Sequence, residues 1–408
     1  MPVTFREHVL PNGLRIAAEI DPEAHSTAMG FFVRTGARDE QPEHMGVSHF
    51  LEHMMFKGTE RRTAADVDRE FDDIGARHNA WTSAEMTAFH ASCLPQFLDR
   101  AEDILSDILR PSLREDDFED EKPVILEEIA MYDDQPFWGL YEKTLEHYYG
   151  SHRLAHRVLG TRETVSNLQR DTMNDYFAHQ YSADNTIVSM AGNLDFEAMV
   201  QRIESHCGHW ERTGAIRSYD PLEPGQAEFR DESDQVHQHY TCLAAPAPAL
   251  QDDRRYAAGM LAHLVGHYEG SRLYWALVDP GLAEEAQCHF DPRDRAGEFL
   301  IWCSCAPQDA EACHQIVLDE LENAVDHLQE DDLLRIRSLA ATNLTRAGEL
   351  AADRMQRLGR ILTSTGEYRP LEEELQRIQS VTLDDLRETA EAFPFTPRIT
   401  GHLAPTGD

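Results

Sequence analysis

The residues of this chain best placed to do chemistry are His49, Glu52 and His53, in the run His49-Phe-Leu-Glu-His53. In a helix, side chains four positions apart lie on one face, so both imidazoles can point at a single metal ion. Neutral imidazoles are ligands that suit zinc. Glu52 would lie at the edge of the metal, where its carboxylate could take a proton from a bound water. The spacing therefore predicts a metal-dependent hydrolytic site.

The flanking residues decide between this interpretation and a solvated helix face. The order is the inverse of His-Glu-x-x-His, an arrangement found in inverted zincins. A helix over this run would be apolar almost all round, which predicts a buried helix. Burying two histidines and a glutamate without partners costs several kcal/mol, and a metal ion removes that cost. The apolar neighbours are Val47, Phe50, Leu51, Met54, Met55 and Phe56.

A third metal ligand is predicted in a second helix, which contains Glu121 and Glu128. The two glutamates are two turns apart on one face, about 10 Å at 1.5 Å per residue, so only one of them can bind the ion directly. Glu128 follows Pro123 in a segment of uninterrupted helical apolar spacing, whereas a proline beyond the first turn kinks a helix. An acidic, solvated helix face is the alternative.

Composition excludes several classes of function. With 37 basic and 74 acidic residues the net charge is −37, which argues against nucleic acid as a partner. The seven cysteines show no paired metal-binding spacing, which predicts reduced thiols in a reducing compartment. No leader and no membrane-spanning stretch is recognisable, so we expect a cytoplasmic protein without a membrane partner. The acidity indicates either a surface adapted to salt, the interpretation we favour, or a field that attracts basic substrates.

The order of predicted elements indicates two similar domains. A hairpin over 7–20, a strand over 27–35, a helix over 63–74 and paired strands over 77–94 are predicted in the first half. Residues 214–236, rich in Pro, Gly and acidic residues, are predicted to be a linker. Strands and then helices over 309–328, 330–348 and 371–392 follow. We therefore expect an N-terminal domain at 1–218 and a related C-terminal domain at 219–408, produced by internal duplication.

Several motifs together resemble the pitrilysin family of inverzincin zinc metallopeptidases, in particular the processing-peptidase-like group of bacteria. The resemblance implies an α+β fold of two similar domains, each a β-sheet backed by helices, which form half of a clamshell. It also implies that His49, His53 and Glu128 bind Zn²⁺, that Glu52 is the base, and that Glu121 supports the ligands. Asn79 and Ala80 would lie on the edge strand that pairs with substrate. The motifs are Leu10-Pro-Asn-Gly-Leu-Arg, Gly46 through Thr59, Asn79-Ala-Trp-Thr-Ser, Val124-Ile-Leu-Glu-Glu-Ile, Leu159-Gly-Thr, Tyr181-x-x-x-Asn185 and Ala191-Gly-Asn.

The C-terminal half departs from the family pattern. Gly270-Ser-Arg-Leu273 is present, but Glu284 stands where relatives have a tyrosine, and no arginine precedes it in segment 276–284. The leading hypothesis is a zinc endopeptidase acting on peptides or unfolded segments, paired as a homodimer or as a heterodimer with a related chain. A partner subunit of a heterodimeric peptidase, with little activity alone, is the alternative. A structural metal protein ranks last, because such a site fills the fourth ligand position from the protein.

Overall fold

The computed structural model describes residues 3–326 and 328–407. In the first half of the chain, strands and helices alternate irregularly, and short 3₁₀ turns join several of them. The elements are β1 (Thr4–Val9), β2 (Arg15–Ile20), β3 (Thr27–Val33), α1 (Val47–Met55), α2 (Ala64–Asp73), β4 (Arg77–Thr82), β5 (Thr87–Cys93), α3 (Leu98–Ile108), α4 (Glu115–Asp133), α5 (Pro136–Tyr149), α6 (Arg162–Asn167), α7 (Arg170–Gln180), β6 (Thr186–Gly192) and α8 (Phe196–Cys207).

The second half continues with five strands and six helices among the described residues, together with a π-helical turn over Tyr274–Val278. The elements are β7 (Ala227–Ser233), β8 (His239–Pro246), α9 (Arg255–Gly266), β9 (Ala283–Arg293), β10 (Ala296–Cys305), α10 (Ala310–Glu322), α11 (Glu330–Ala347), α12 (Ala351–Thr365), α13 (Leu371–Ser380), α14 (Leu383–Ala392) and β11 (Ile399–Pro405). No helix in the described ranges is both long enough and apolar enough to cross a bilayer.

The strands form two sheets whose orders match. The first sheet has six strands in the order β1-β2-β6-β3-β5-β4, and the second has five in the order β7-β11-β8-β10-β9. In each sheet one parallel pair, β2 with β6 or β11 with β7, is followed by three antiparallel pairs. If β1 is set aside, the two sheets have the same strand order and the same strand directions. The expected α+β fold, with two similar sheets each backed by helices, is confirmed.

Each compact unit combines three segments of the chain. One unit comprises residues 1–130, 156–218 and 346–368, and the other comprises 131–155, 219–345 and 369–408. The first unit therefore includes α12 from the C-terminal half, and the second includes α5 from the N-terminal half. The domain boundary between residues 218 and 219 stays a prediction.

In the first unit, α12 covers one face of the sheet closely. Ser189 on β6 donates its hydroxyl to the Met355 carbonyl at 2.8 Å. A Cβ on Gly359 would lie only 2.2 Å from the ring of Phe32, so the helix approaches the sheet at a glycine. The other face carries the main apolar core, which includes Phe31, Val47, Phe50, Ile104 and Phe118.

Two sequence expectations in the C-terminal half were wrong, and one helix was missed. A single helix over 371–392 is two helices, because Thr382 caps α14 by accepting a hydrogen bond from the Asp385 amide at 3.1 Å. The predicted linker over 214–236 contains strand β7, which pairs in parallel with β11. Helix α12 was not predicted, although Met355, Leu358 and Leu362 have helical spacing and are buried against the sheet.

Candidate metal centre

Helix α1 is held at its N-terminus by a buried carboxylate. Glu40 accepts hydrogen bonds from the amides of Gly46 and Ser48, both at 2.7 Å, and so satisfies two donors that a helix leaves unpaired at its start. Gly46 has a φ of +94°, and a Cβ there would lie 2.6 Å from the Leu159 carbonyl oxygen. These contacts fix the direction in which α1 leaves the preceding loop.

The two histidines of α1 lie on one face, as their spacing predicted. Their ring centroids are 4.8 Å apart. Oε2 of Glu128 on α4 lies 3.8 Å from Nε2 of His49 and 3.5 Å from Nε2 of His53. One ligand atom from each of the three residues falls within 4.8 Å of the others, and no other such group of three occurs across the described part of the chain. Two nitrogens and a carboxylate oxygen therefore converge on one point.

Glu121 contacts the opposite nitrogen of His53. Nδ1 of His53 lies 2.9 Å from Oε1 of Glu121, and Lys57 forms an ion pair with the other oxygen. Burial alone would raise the pKa of Glu121, but the bonds with His53 and Lys57 hold that pKa below its usual value. A carboxylate on Nδ1 fixes the imidazole as the Nδ1–H tautomer and leaves Nε2 as the free lone pair.

Helix α4 runs through Pro123 without ending. It extends over 19 residues from Glu115 to Asp133, and both glutamates face the histidines of α1 from it. Proline removes one amide donor from the interior of a helix. The kink expected at Pro123 does not stop the helix, so one continuous element supplies both carboxylates.

The two histidines have different electrostatic environments. Burial, together with neighbouring His53, lowers the pKa of His49 to about 3. Burial also acts to lower the pKa of His53, but Glu121, Glu128 and Glu52 outweigh it and raise that pKa. His49 is therefore held as the neutral imidazole, the form that binds metal ions.

The donor set fits a zinc ion. Nδ1 of His49 is buried and has no hydrogen-bond partner among the described residues, and Nε2 of His49 faces Glu128. An ion between the three residues would therefore be bound through Nε2 of His49, the nitrogen that a neutral ring protonated at Nδ1 offers as a lone pair. Two imidazoles and one carboxylate are a ligand set of catalytic zinc sites, which leave one position open.

Glu52 lies beside this group and is hydrogen-bonded to a strand. Oγ1 of Thr82, the last residue of β4, donates to Oε2 of Glu52 at 2.5 Å. Burial raises the pKa of Glu52, and the nearby Glu128 adds to that rise, whereas Thr82 and His53 oppose it. A carboxyl group whose pKa is shifted toward neutrality is suited to general acid–base catalysis.

Asn79 and Ala80 lie on β4, which is the last strand of its sheet. Asn79 is exposed, and Ala80 is buried. The Ala80 amide donates to Oδ1 of its neighbour Asn79 at 2.9 Å. The strand thus presents an edge beside the metal-binding face, with one of its amides satisfied locally.

The sequence did not single out Glu40, Lys57 or Thr82 as residues of the site. Thr82 belongs to the run that carries the family resemblance, yet nothing in its spacing shows that it contacts Glu52. Glu40 precedes α1 in the chain, and its contact with the start of that helix depends on how the loop between them folds.

Two family models and a related sequence match most of this chain. Residues 15–162 match the family model described as insulinase (peptidase family M16), and residues 167–339 match the one described as peptidase M16 inactive domain. An uncharacterized zinc protease of Streptomyces coelicolor is 32% identical over 95% of this chain and 86% of its own.

Two solved structures show the same fold. A protease from Helicobacter pylori has a TM-score of 0.92 at 21% identity, covering 98% of this chain and 99% of that one. A peptidase M16 inactive domain from Pseudomonas fluorescens has a TM-score of 0.91 at 16% identity, covering 99% of each chain. The predicted resemblance is confirmed, and the chain belongs to peptidase family M16.

Proposed function

We propose that the protein is a zinc-dependent endopeptidase that hydrolyses peptides or unfolded segments. The observation that carries the proposal is the convergence of His49, His53 and Glu128 on one point, with the Glu52 carboxylate beside it. These three residues would hold Zn²⁺. When bound there, zinc polarises a carbonyl and makes water acidic enough to react at neutral pH.

Glu52 would move the proton. One of its oxygens accepts the Thr82 hydroxyl, so Oε1 is the atom free to take a proton from the attacking water. The same carboxyl group then returns that proton to the nitrogen of the leaving amine. Burial, which raises the pKa of Glu52, makes it a stronger base than an exposed glutamate.

Strand β4 would hold the substrate. An extended peptide can add to an open sheet edge through main-chain hydrogen bonds, with little demand on its sequence. Asn79 and Ala80 are the residues we propose for this pairing. Such binding selects segments that are already extended, which supports peptides and unfolded segments as substrates.

A second function is favoured by one observation in the C-terminal half. Glu284 is the second residue of β9 and follows the π-helical turn over Tyr274–Val278. The family pattern that the resemblance implies has a tyrosine at this position and an arginine before it. The chain could then act with a related chain that supplies these groups, as one member of a heterodimer. The alternative is a partner subunit with little activity alone, and hydrolysis by the purified chain alone would exclude it.

The decisive experiment is the substitution Glu52→Gln. The amide keeps the shape of the side chain but cannot accept the proton, so we expect peptide hydrolysis to fall by at least about 100-fold. Zinc content, measured by mass spectrometry of the purified protein, should stay at about one ion per chain, as a three-ligand site predicts.

A matched pair of variants completes the test. His49→Ala and His53→Ala should lose both zinc and hydrolysis, since each removes a ligand. Undiminished hydrolysis by Glu52→Gln would contradict the proposed base, and retention of zinc by both histidine variants would contradict the metal site.

A further inference from the structure

The hydroxyl of Thr82 makes the one hydrogen bond to the side chain of Glu52 found across the described residues. At 2.5 Å it has the length of a hydroxyl bonded to an ionised carboxylate, the stronger class of hydrogen bond. Because Oε2 is thereby engaged, the carboxylate cannot turn freely about its terminal torsion. Oε1 is left on the opposite side, without a partner from the described chain.

The position of Thr82 on its strand explains why this contact forms. Every second side chain of a strand lies on the same face, so His78, Ala80 and Thr82 share one face of β4. His78 stacks on Phe71 at 4.1 Å between ring centroids, and Ala80 packs in the core that contains α1. The other face carries Trp81, whose indole nitrogen donates to Gln356 on α12. The face that bears Thr82 is therefore anchored at two earlier positions, at His78 against α2 and at Ala80 in the core that contains α1.

Strand β4 is itself fixed by its neighbour. Thr82 pairs with Thr87 of β5, whose buried hydroxyl donates to the Thr35 carbonyl at 3.0 Å. Main-chain pairing at this end of the strand leaves the Thr82 side chain little freedom to move away from Glu52.

We propose that Thr82 is a positioning residue that aims the Glu52 carboxylate and couples the base to the edge strand. The inference rests on the proposed function of Glu52 and Asn79–Ala80. A peptide paired with β4 shares one rigid element with the hydroxyl that orients the base. The scissile carbonyl and the proton acceptor are then placed by the same strand, which is the geometric condition for an attack by a positioned water.

The test compares Thr82→Val with Thr82→Ser. Valine keeps the β-branched shape and favours a strand, but it removes the donor, whereas serine keeps the donor. For Thr82→Val we expect kcat on a quenched fluorescent peptide to fall about 10- to 100-fold, the range for groups that orient a reacting residue. KM should stay within about twofold, since substrate pairing is unchanged, and Thr82→Ser should recover most of kcat.

A second readout does not depend on turnover. In crystals of the metal-free protein, Glu52 should occupy one rotamer in the wild type and in Thr82→Ser, and more than one in Thr82→Val. A wild-type kcat in Thr82→Val, or a loss in Thr82→Ser as large as in Thr82→Val, would overturn the inference. A single, unchanged Glu52 rotamer in Thr82→Val would overturn it as well.

The two proposals fail in different ways. If the wild-type protein binds zinc but hydrolyses no peptide, the proposed function is wrong, and the rotamer comparison still decides whether Thr82 orients Glu52. If the wild type is active and Thr82→Val loses zinc as well as kcat, the hydroxyl acts on the fold of the site, and its positioning role is refuted.

Discussion

The two carboxylates of α4 contact different atoms of the histidines. Glu128 points its Oε2 at the Nε2 atoms of both histidines, whereas Glu121 contacts Nδ1 of His53. A group on Nδ1 cannot share an ion with Nε2 of the same ring, because the two nitrogens point in different directions. The geometry thus supports Glu128 as ligand and Glu121 as the group that fixes the ring.

Replacing each glutamate by glutamine tests this assignment. Glu128→Gln removes a charged oxygen from the donor set and should cost metal affinity severely. Glu121→Gln retains a carbonyl that can accept from His53, so zinc should remain while activity falls about 10- to 100-fold. Zinc content and kcat/KM of both variants are the measurements. Zinc lost from Glu121→Gln and kept by Glu128→Gln would reverse the assignment.

At the residue scale the sequence predicted what depends on local spacing. His49, Glu52 and His53 lie within one helix, so helical periodicity places them on neighbouring positions without further information. The choice between Glu121 and Glu128 is not local, because both share a helix face and only the packing of α4 against α1 separates them. Thr82 reaches Glu52 from a strand 30 positions later, a contact that no periodicity indicates.

At the scale of elements, a group of histidines lies between β8, β11 and α10 in the second unit. Nδ1 of His402 lies 3.1 Å from Nε2 of His239 and 3.2 Å from the Thr241 hydroxyl. The ring of His314 lies 5.1 Å from that of His402. Charged groups face the cluster too. Glu228 on β7 lies 3.5 Å from Nε2 of His402, and the other charged neighbours are Arg230 on β7, Arg398 just before β11 and Glu311 on α10.

This cluster should make the fold sensitive to acid. Burial first, then His314 and His239, lowers the pKa of His402 from 6.5 to about 4. As the pH falls below 6.5, the unfolded chain binds this proton before the folded chain does. The stability that the neutral ring contributes is therefore complete above pH 6.5 and is lost as the pH falls toward 4.

Thermal unfolding of His402→Asn and of the wild type, both metal-free, measures the effect. Between pH 7.5 and pH 5 the wild type should lose about 2 kcal/mol more stability than the variant, since each unit of pKa difference corresponds to about 1.4 kcal/mol. Using metal-free protein removes the competition of protons for the zinc ligands. An equal loss in both proteins would show that His402 does not carry the acid sensitivity.

The boundaries of elements could be predicted from the sequence where a turn or a helix cap marks them. The elements against which each helix packs could not be predicted. The Pro-Asn-Gly turn at 11–13 correctly predicted the hairpin of β1 and β2. The Thr382-to-Asp385 capping box was readable in the sequence and marks the break between α13 and α14. In contrast, the spacing of Met355, Leu358 and Leu362 shows that α12 has an apolar face but not which sheet that face covers.

For the whole molecule, the matched strand orders of the two sheets give physical support to an internal duplication. The sequence halves show weak similarity at the residue level, but the pairing directions repeat from β2 through β4 and from β7 through β9. Among the described residues, only the first unit carries a group of side chains that could hold a metal ion. Two units can share a strand order while only one of them has a candidate site, because function depends on particular side chains and not on the fold alone.

The net charge of −37 makes a prediction for the whole molecule. An excess of like charge favours the expanded, unfolded chain, because expansion separates the charges. Salt shortens the reach of this repulsion: the Debye length is about 30 Å at 0.01 M and about 3 Å at 1 M ionic strength. We therefore expect the melting temperature to rise steadily as sodium chloride is added over this range.

Two controls separate charge screening from other effects of the solute. Sucrose at matched osmolality stabilises by exclusion from the protein surface and does not screen charge. A chain variant with several exposed acidic residues replaced by lysine, at positions such as Glu60, Asp73 and Glu391, should show a smaller rise with salt because it has less repulsion to screen. A melting temperature that does not rise with sodium chloride, or that rises equally in the charge-reduced variant, would show that self-repulsion does not limit the stability of this fold.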